Sequence, residues 1–158
     1  MISGSVTESA ANTFTQDAID LQLNPLDNEV FVVTAVDLDM SASPDAVVAT
    51  NTAIQLSLSN TSRTTVGGLP DSNVFATYTE SIRAVATIAV SFQKMAPETP
   101  TAANLDYIGI LATDNFFAQI DGTNNTGAKK GNFRVYGYRA KADSATYAAL
   151  VQSELLSQ

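Results

Sequence analysis

The sequence predicts an all-β protein, an antiparallel β-sandwich with a short helix at its C-terminal end. Three observations carry this expectation. Apolar and polar residues alternate in one run after another, the period of strands buried on one face. Short connectors rich in Gly, Pro, Asn and Asp separate the runs. Helical spacing recurs clearly only at the end of the chain, so the βαβα alternation of a parallel sheet is missing.

In chain order, residues 1–13 are mostly Ser, Thr, Ala and Asn without periodicity, and read as a flexible arm. A strand follows over 18–23 until Asn24-Pro25 stops it. The strongest strand signal is 30–40, where strict alternation places Val30, Val32, Val36, Leu38 and Met40 on one face. Phe31, Val33, Asp37 and Asp39 fall on the other. Ser43-Pro44-Asp45 is a turn. Over 53–60, Ile54, Leu56 and Leu58 point one way and Gln55, Ser57 and Ser59 the other. A polar connector, 60–73, carries Gly67-Gly68-Leu69-Pro70-Asp71. No Gly or Pro breaks 74–95. A helix through Ile82, Val85, Ile88 and Phe92 is the alternative there, and the Thr, Val, Ile and Phe content favours strands at 74–82 and 86–93. After the extended loop at 96–100, further strands are expected at 105–112, 116–120 and 132–140. Asp143 caps a helix over 144–156, with Tyr147, Leu150, Val151 and Leu155 at helical spacing.

Eight strands and a terminal helix make an antiparallel eight-stranded β-sandwich of jelly-roll type, with Greek-key sandwiches of similar strand count as the nearest rival. At 158 residues a single domain is expected: an arm at 1–13, the sandwich at 14–142, and a helix at 143–158 packed on the body or on a neighbour.

Composition removes much chemistry. Cysteine, histidine and tryptophan are absent, which excludes thiolate nucleophiles, imidazole bases, Ser-His-Asp triads and Cys/His zinc sites. The expectation is a protein that is not an enzyme and carries no cofactor. Carboxylates are the remaining candidates. Asp37 and Asp39 lie two apart on one strand and share a face, a pairing that glycoside hydrolysis can use. Nothing else supports a cleft, and two solvated acids are the plainer account. The loop Asp121-Gly122-Thr123-Asn124-Asn125-Thr126-Gly127 offers oxygen ligands for Ca²⁺. Asn132 stands where an EF-hand needs a bidentate Glu, and these residues are also ordinary turn formers. The hydroxyls, 18 Thr and 14 Ser, suit solvent-facing strand positions.

The net charge is −8 and the isoelectric point about 4.2, which disfavours generic nucleic-acid binding. Five of the eight bases, Lys129, Lys130, Arg134, Arg139 and Lys141, fall in 129–141. That segment is the one place where nucleic acid or an acidic neighbour fits. No basic-then-apolar leader and no membrane-length apolar run are visible, so a soluble chain is expected.

Two segments, DYIGILATDNFFAQIDGTNN at 106–125 and RVYGYRAKADSATYAAL at 134–150, resemble small structural proteins of bacterial or archaeal viruses. The likeness is one of texture and carries no functional residue across. It implies a jelly-roll shell, vertex or decoration protein located in the virion, whose partners are copies of itself and other virion proteins, with no membrane. The expected contact residues are Phe116 and Phe117, Tyr147 and Leu150 on the helix, and Lys129 and Lys130. A carbohydrate- or receptor-binding sandwich, such as a phage fibre head, is the alternative.

Overall fold

The computed structural model describes residues 1–97 and 106–156. Leu105 and most of the 96–100 loop lie outside the described residues. Nine strands and one helix are present among those described: β1 (Ile2–Thr7), β2 (Thr15–Asp20), β3 (Glu29–Met40), β4 (Thr52–Ser59), β5 (Val74–Val85), β6 (Ile88–Ala96), β7 (Gly109–Leu111), β8 (Asn115–Thr123), β9 (Lys130–Lys141) and α1 (Ser144–Leu156). They form a four-stranded sheet, β1-β9-β3-β7, and a five-stranded sheet, β2-β8-β4-β5-β6. Every pairing is antiparallel.

The two sheets share one core, giving a β-sandwich-like body. Phe31, Val33, Val36, Leu38, Phe133 and Val135 enter it from one sheet, and Ile54, Leu56, Leu58, Phe116, Ala118 and Ile120 from the other. The Phe116 ring meets Phe75 and Phe133 edge-on, at centroid distances of 5.9 and 5.8 Å, and so ties the sheets together.

The expectation of a flexible arm over 1–13 is corrected. Ile2–Thr7 is β1, paired with β9 from Ile2↔Val135 to Thr7↔Lys130. Ile2, Gly4 and Val6 alternate inward, and Val6 is fully buried. Gly4 hides the alternation because its missing side chain makes room for the Phe133 ring. The strand expected at 18–23 begins and ends three residues earlier. Leu21 and Leu23 still enter the core, from the segment that follows it.

The face assignment in β3 is also corrected. Register shifts between Val33 and Ala35, leaving Thr34 as a β-bulge whose hydroxyl donates to the Tyr136 carbonyl at 3.3 Å. One extra residue reverses the parity of everything beyond it. Phe31 and Val33 therefore share the core face with Val36, Leu38 and Met40. Val30 and Val32 turn outward and would meet water without the helix. Tyr147, Leu150 and Val151 of α1 cover them, together with Ala112.

The helix begins as expected. Asp143 Oδ1 accepts from the amides of Ala145 and Thr146. Its far end differs: Leu155 is exposed, and Glu154 is buried in its place. The Glu154 carboxylate accepts from the amides of Ala112 (2.9 Å) and Thr113 (3.0 Å), donors that the turn between β7 and β8 would otherwise leave unpaired. The 82–92 helix alternative is ruled out by a hairpin: β5 and β6 pair from Thr77↔Ala96 to Val85↔Ile88 across a turn at Ala86 and Thr87.

Candidate assembly surface and its internal locks

Two polar networks hold the connectors onto the sandwich and decide which residues remain free for contacts. The first sits at one end of the body. Glu8 is 3% exposed, and its carboxylate accepts from three backbone amides: Gly122 at 2.7 Å, Lys129 at 2.8 Å and Thr13 at 3.1 Å. Asn12 and Asn125 exchange two hydrogen bonds, and Asn125 also reaches the Ala53 carbonyl and the Asp45 amide. Lys129 is buried, with its ammonium on Asp45 and the Ser43 carbonyl. Thr126 donates to Asp45 through both its amide and its hydroxyl.

The second network lies on the outer face of the five-stranded sheet, where the 60–73 connector folds over it. Gln119, wholly buried, accepts from Ser57 and donates to Ser59 and Gln16. Arg63 then fastens the connector through Asn73 and Asp71.

These locks dispose of several expected site residues. Phe116 and Lys129 are corrected as contact residues: one is the centre of the core, the other a buried cation paired with Asp45. Tyr147 and Leu150 face the body, where they cover Val30 and Val32. Phe117 is half-buried and Lys130 exposed. The basic segment does not form a bare cationic surface. Arg139 pairs with Glu29 and Lys141 with Asp27, while Arg134 lies across the ladder from Asp37.

In the 121–127 loop, Asn124, Asn125 and Thr126 spend their side chains on Asn51, Ala53 and Asp45. Among the described residues no group of three or more carboxylate, His or Cys side chains gathers to hold a metal. Asp37 and Asp39 are exposed on the open face of β3, in a shallow concavity of about 350 Å³ shared with Ser3, Asn132 and Arg134. Among the described residues nothing closes over them. Among the described residues no helix is long and apolar enough to cross a membrane.

One further surface stands out. β6 is the outermost strand of its sheet, and residues 85–94 of the β5–β6 hairpin are all exposed. Val85 is 77%, Ile88 70%, Val90 49% and Phe92 51% exposed. By register they line one face, beside Arg83, whose guanidinium sits 6.0 Å from the Phe92 ring centroid. Alternation supports a strand here, and only the sheet order reveals that, among the described residues, no strand lies beyond it.

The locks are sensitive to acid. Hydrogen bonds from Lys129 and then Thr126 hold the Asp45 carboxyl well below its usual 3.8. A carboxyl depressed in the folded state stabilises fully above its unfolded value, and loses that contribution as pH falls through 4 toward the folded value. Asp121 has the opposite sign: burial, and then the charge of Glu8, raise it. The Asp45→Asn variant should lower stability by about 2–3 kcal/mol at neutral pH, because Lys129 then lacks its counter-charge. The gap between variant and wild type should narrow as pH falls from 5 to below 3 in urea titrations. A constant gap would mean that Asp45 is not what acid releases.

No protein family, curated protein or solved structure matches the chain.

Proposed function

We propose that this chain is a virion structural protein built on a jelly roll, acting in many copies as a shell, vertex or decoration component and not as an enzyme. The observation that carries the reading is the strand order. With β6 set aside, first pairs with last (β1·β9), second with second-last (β2·β8), third with third-last (β3·β7), and the middle two with each other (β4·β5). Rolling up one long antiparallel ribbon gives such an order, with β3·β9 and β4·β8 as the seams. Such double Greek keys serve in viral shells and in lectins. The step from fold to role is an analogy, and the resemblance of 106–125 and 134–150 to viral structural proteins favours the first of these.

The internal locks suit a rigid building block, since a subunit repeated many times needs connectors that keep one shape. The exposed hairpin supplies apolar surface for a neighbour. Light scattering with electron microscopy of the purified chain, across protein and salt concentration, is the test. Rings, sheets or shells are the expected result. A strict monomer under all conditions, with no binding to other virion proteins, would overturn the reading.

Glycan binding is the second reading. It is favoured by a shallow trough of about 280 Å³ on the outer face of the five-stranded sheet, where Gln55, Thr77, Thr79 and Lys94 present polar groups. Saturable shifts of those residues' resonances on adding oligosaccharides would support it.

A further inference from the structure

We propose that two copies of this chain join through β6, edge to edge and antiparallel about a two-fold axis, so that two five-stranded sheets become one continuous sheet. This deepens the assembly reading and rests on it.

Sheet edges in natural proteins are protected by shortness, charge, proline or bulges. The other edges here are protected. β7 has three residues, β2 carries Asp17 and Asp20, and β1 is a six-residue strand of mostly Ser, Gly and Thr. β6 has little of this protection. It runs nine residues without proline, keeps an unbroken register with β5, and holds one charge, Lys94. Counting from the Val85–Ile88 pair that closes the hairpin, ladder alternation directs the peptide groups of Ala89, Ser91 and Gln93 to the open side.

A second copy is the occupant because the strand is complementary to itself. With Val90 on the axis, Val90 meets its own symmetry mate and Ile88 meets Phe92 of the other copy on both sides of it. All three are non-hydrogen-bonded pairs, the kind in which side chains approach most closely. Lys94 then lies beyond the ladder and opposes no cation.

Charge agrees. Each chain carries −8, yet the exposed charges of β5 and β6 are Arg83 and Lys94, because Glu80 is buried. The hairpin therefore brings no exposed acid of β5 or β6 into the contact. The five residues that pair, 88–92, at about 3.4 Å per residue in a sheet about 10 Å thick, give roughly 170 Å² per partner. Stable dimers bury about 800 Å² per partner. The contact is thus weak by itself, forms at high concentration, and becomes persistent when repeated in an array. It tightens with salt, which screens the repulsion between the acidic bodies.

The test uses the natural absence of cysteine. Val90→Cys should form a disulfide-linked dimer under mild oxidation, while Gln152→Cys on the exposed face of α1 should give only collisional background. Sedimentation of wild type should show dimer growing from micromolar to millimolar concentration and with added salt. Ile88→Lys/Phe92→Lys, at positions already exposed, should stay folded and monomeric. Equal cross-linking of the two cysteine variants, or a monomeric wild type at millimolar concentration, would overturn the proposal. So would β6 amides that become protected from exchange only when a different protein is added. If Ile88→Lys/Phe92→Lys still forms rings or shells, edge pairing falls and the structural reading stands. If neither chain assembles nor binds other virion proteins, both fall.

Discussion

Glu8→Ala should be among the most damaging single changes in the molecule, with a loss of about 3–5 kcal/mol in unfolding free energy. The carboxylate is buried and satisfies three backbone donors from segments far apart in the chain: Thr13, Gly122 and Lys129. Alanine removes the acceptor shared by all three donors. Each orphaned buried donor costs about 1–3 kcal/mol. The chain beyond β1 and the loop between β8 and β9 should loosen together, seen as faster exchange of the Gly122 and Lys129 amides. Asp121 supplies an independent readout. Its carboxyl is raised by burial and by the charge of Glu8, so removing that charge should bring its titration closer to the usual 3.8. A loss below about 1 kcal/mol with unchanged exchange would show that water replaces the carboxylate.

The second large effect is expected at Gly137. It pairs with Val33 beside the Thr34 bulge, where β9 passes so close to β3 that an added Cβ would overlap the Val32 carbonyl oxygen and the Phe31 ring. A carbonyl in the middle of a sheet cannot swing aside as a side-chain end can. Gly137→Ala should therefore cost about 3 kcal/mol. It should also disturb α1, because Val32 lies beneath the helix. Urea unfolding measures the first effect, and protease susceptibility of α1 the second. A variant as stable as wild type would mean that the bulge absorbs the methyl group.

Much of the fold was legible because strand alternation is a local signal. β3, β4, β8, β9 and α1 lie close to where apolar spacing placed them. The misses each have a physical cause. β1 looks like an arm in the sequence because Gly4 and the serines carry little hydrophobic weight, although Ile2 and Val6 alternate correctly around Gly4. The faces of β3 were misassigned because a bulge has no sequence marker: Thr34 is as ordinary a strand residue as its neighbours. Leu155 was expected on the buried stripe of the helix. Two unpaired amides at the turn between β7 and β8 drew Glu154 there, a demand set by a different part of the chain. Lys129 belongs in sequence to a basic segment, and its burial against Asp45 depends on two loops meeting at one end of the sandwich.

Residue spacing and composition are enough to establish a β protein with one terminal helix and without thiol or imidazole chemistry in these 158 residues. Those conclusions follow from spacing and from composition, which every residue reports locally. The tertiary structure alone decided which strand lies at the edge of its sheet, which charges are neutralised, and which aromatic rings remain exposed. Those properties belong to pairs of residues distant in sequence. A period of two says that a strand is half buried, and it does not say whether another strand lies beside it.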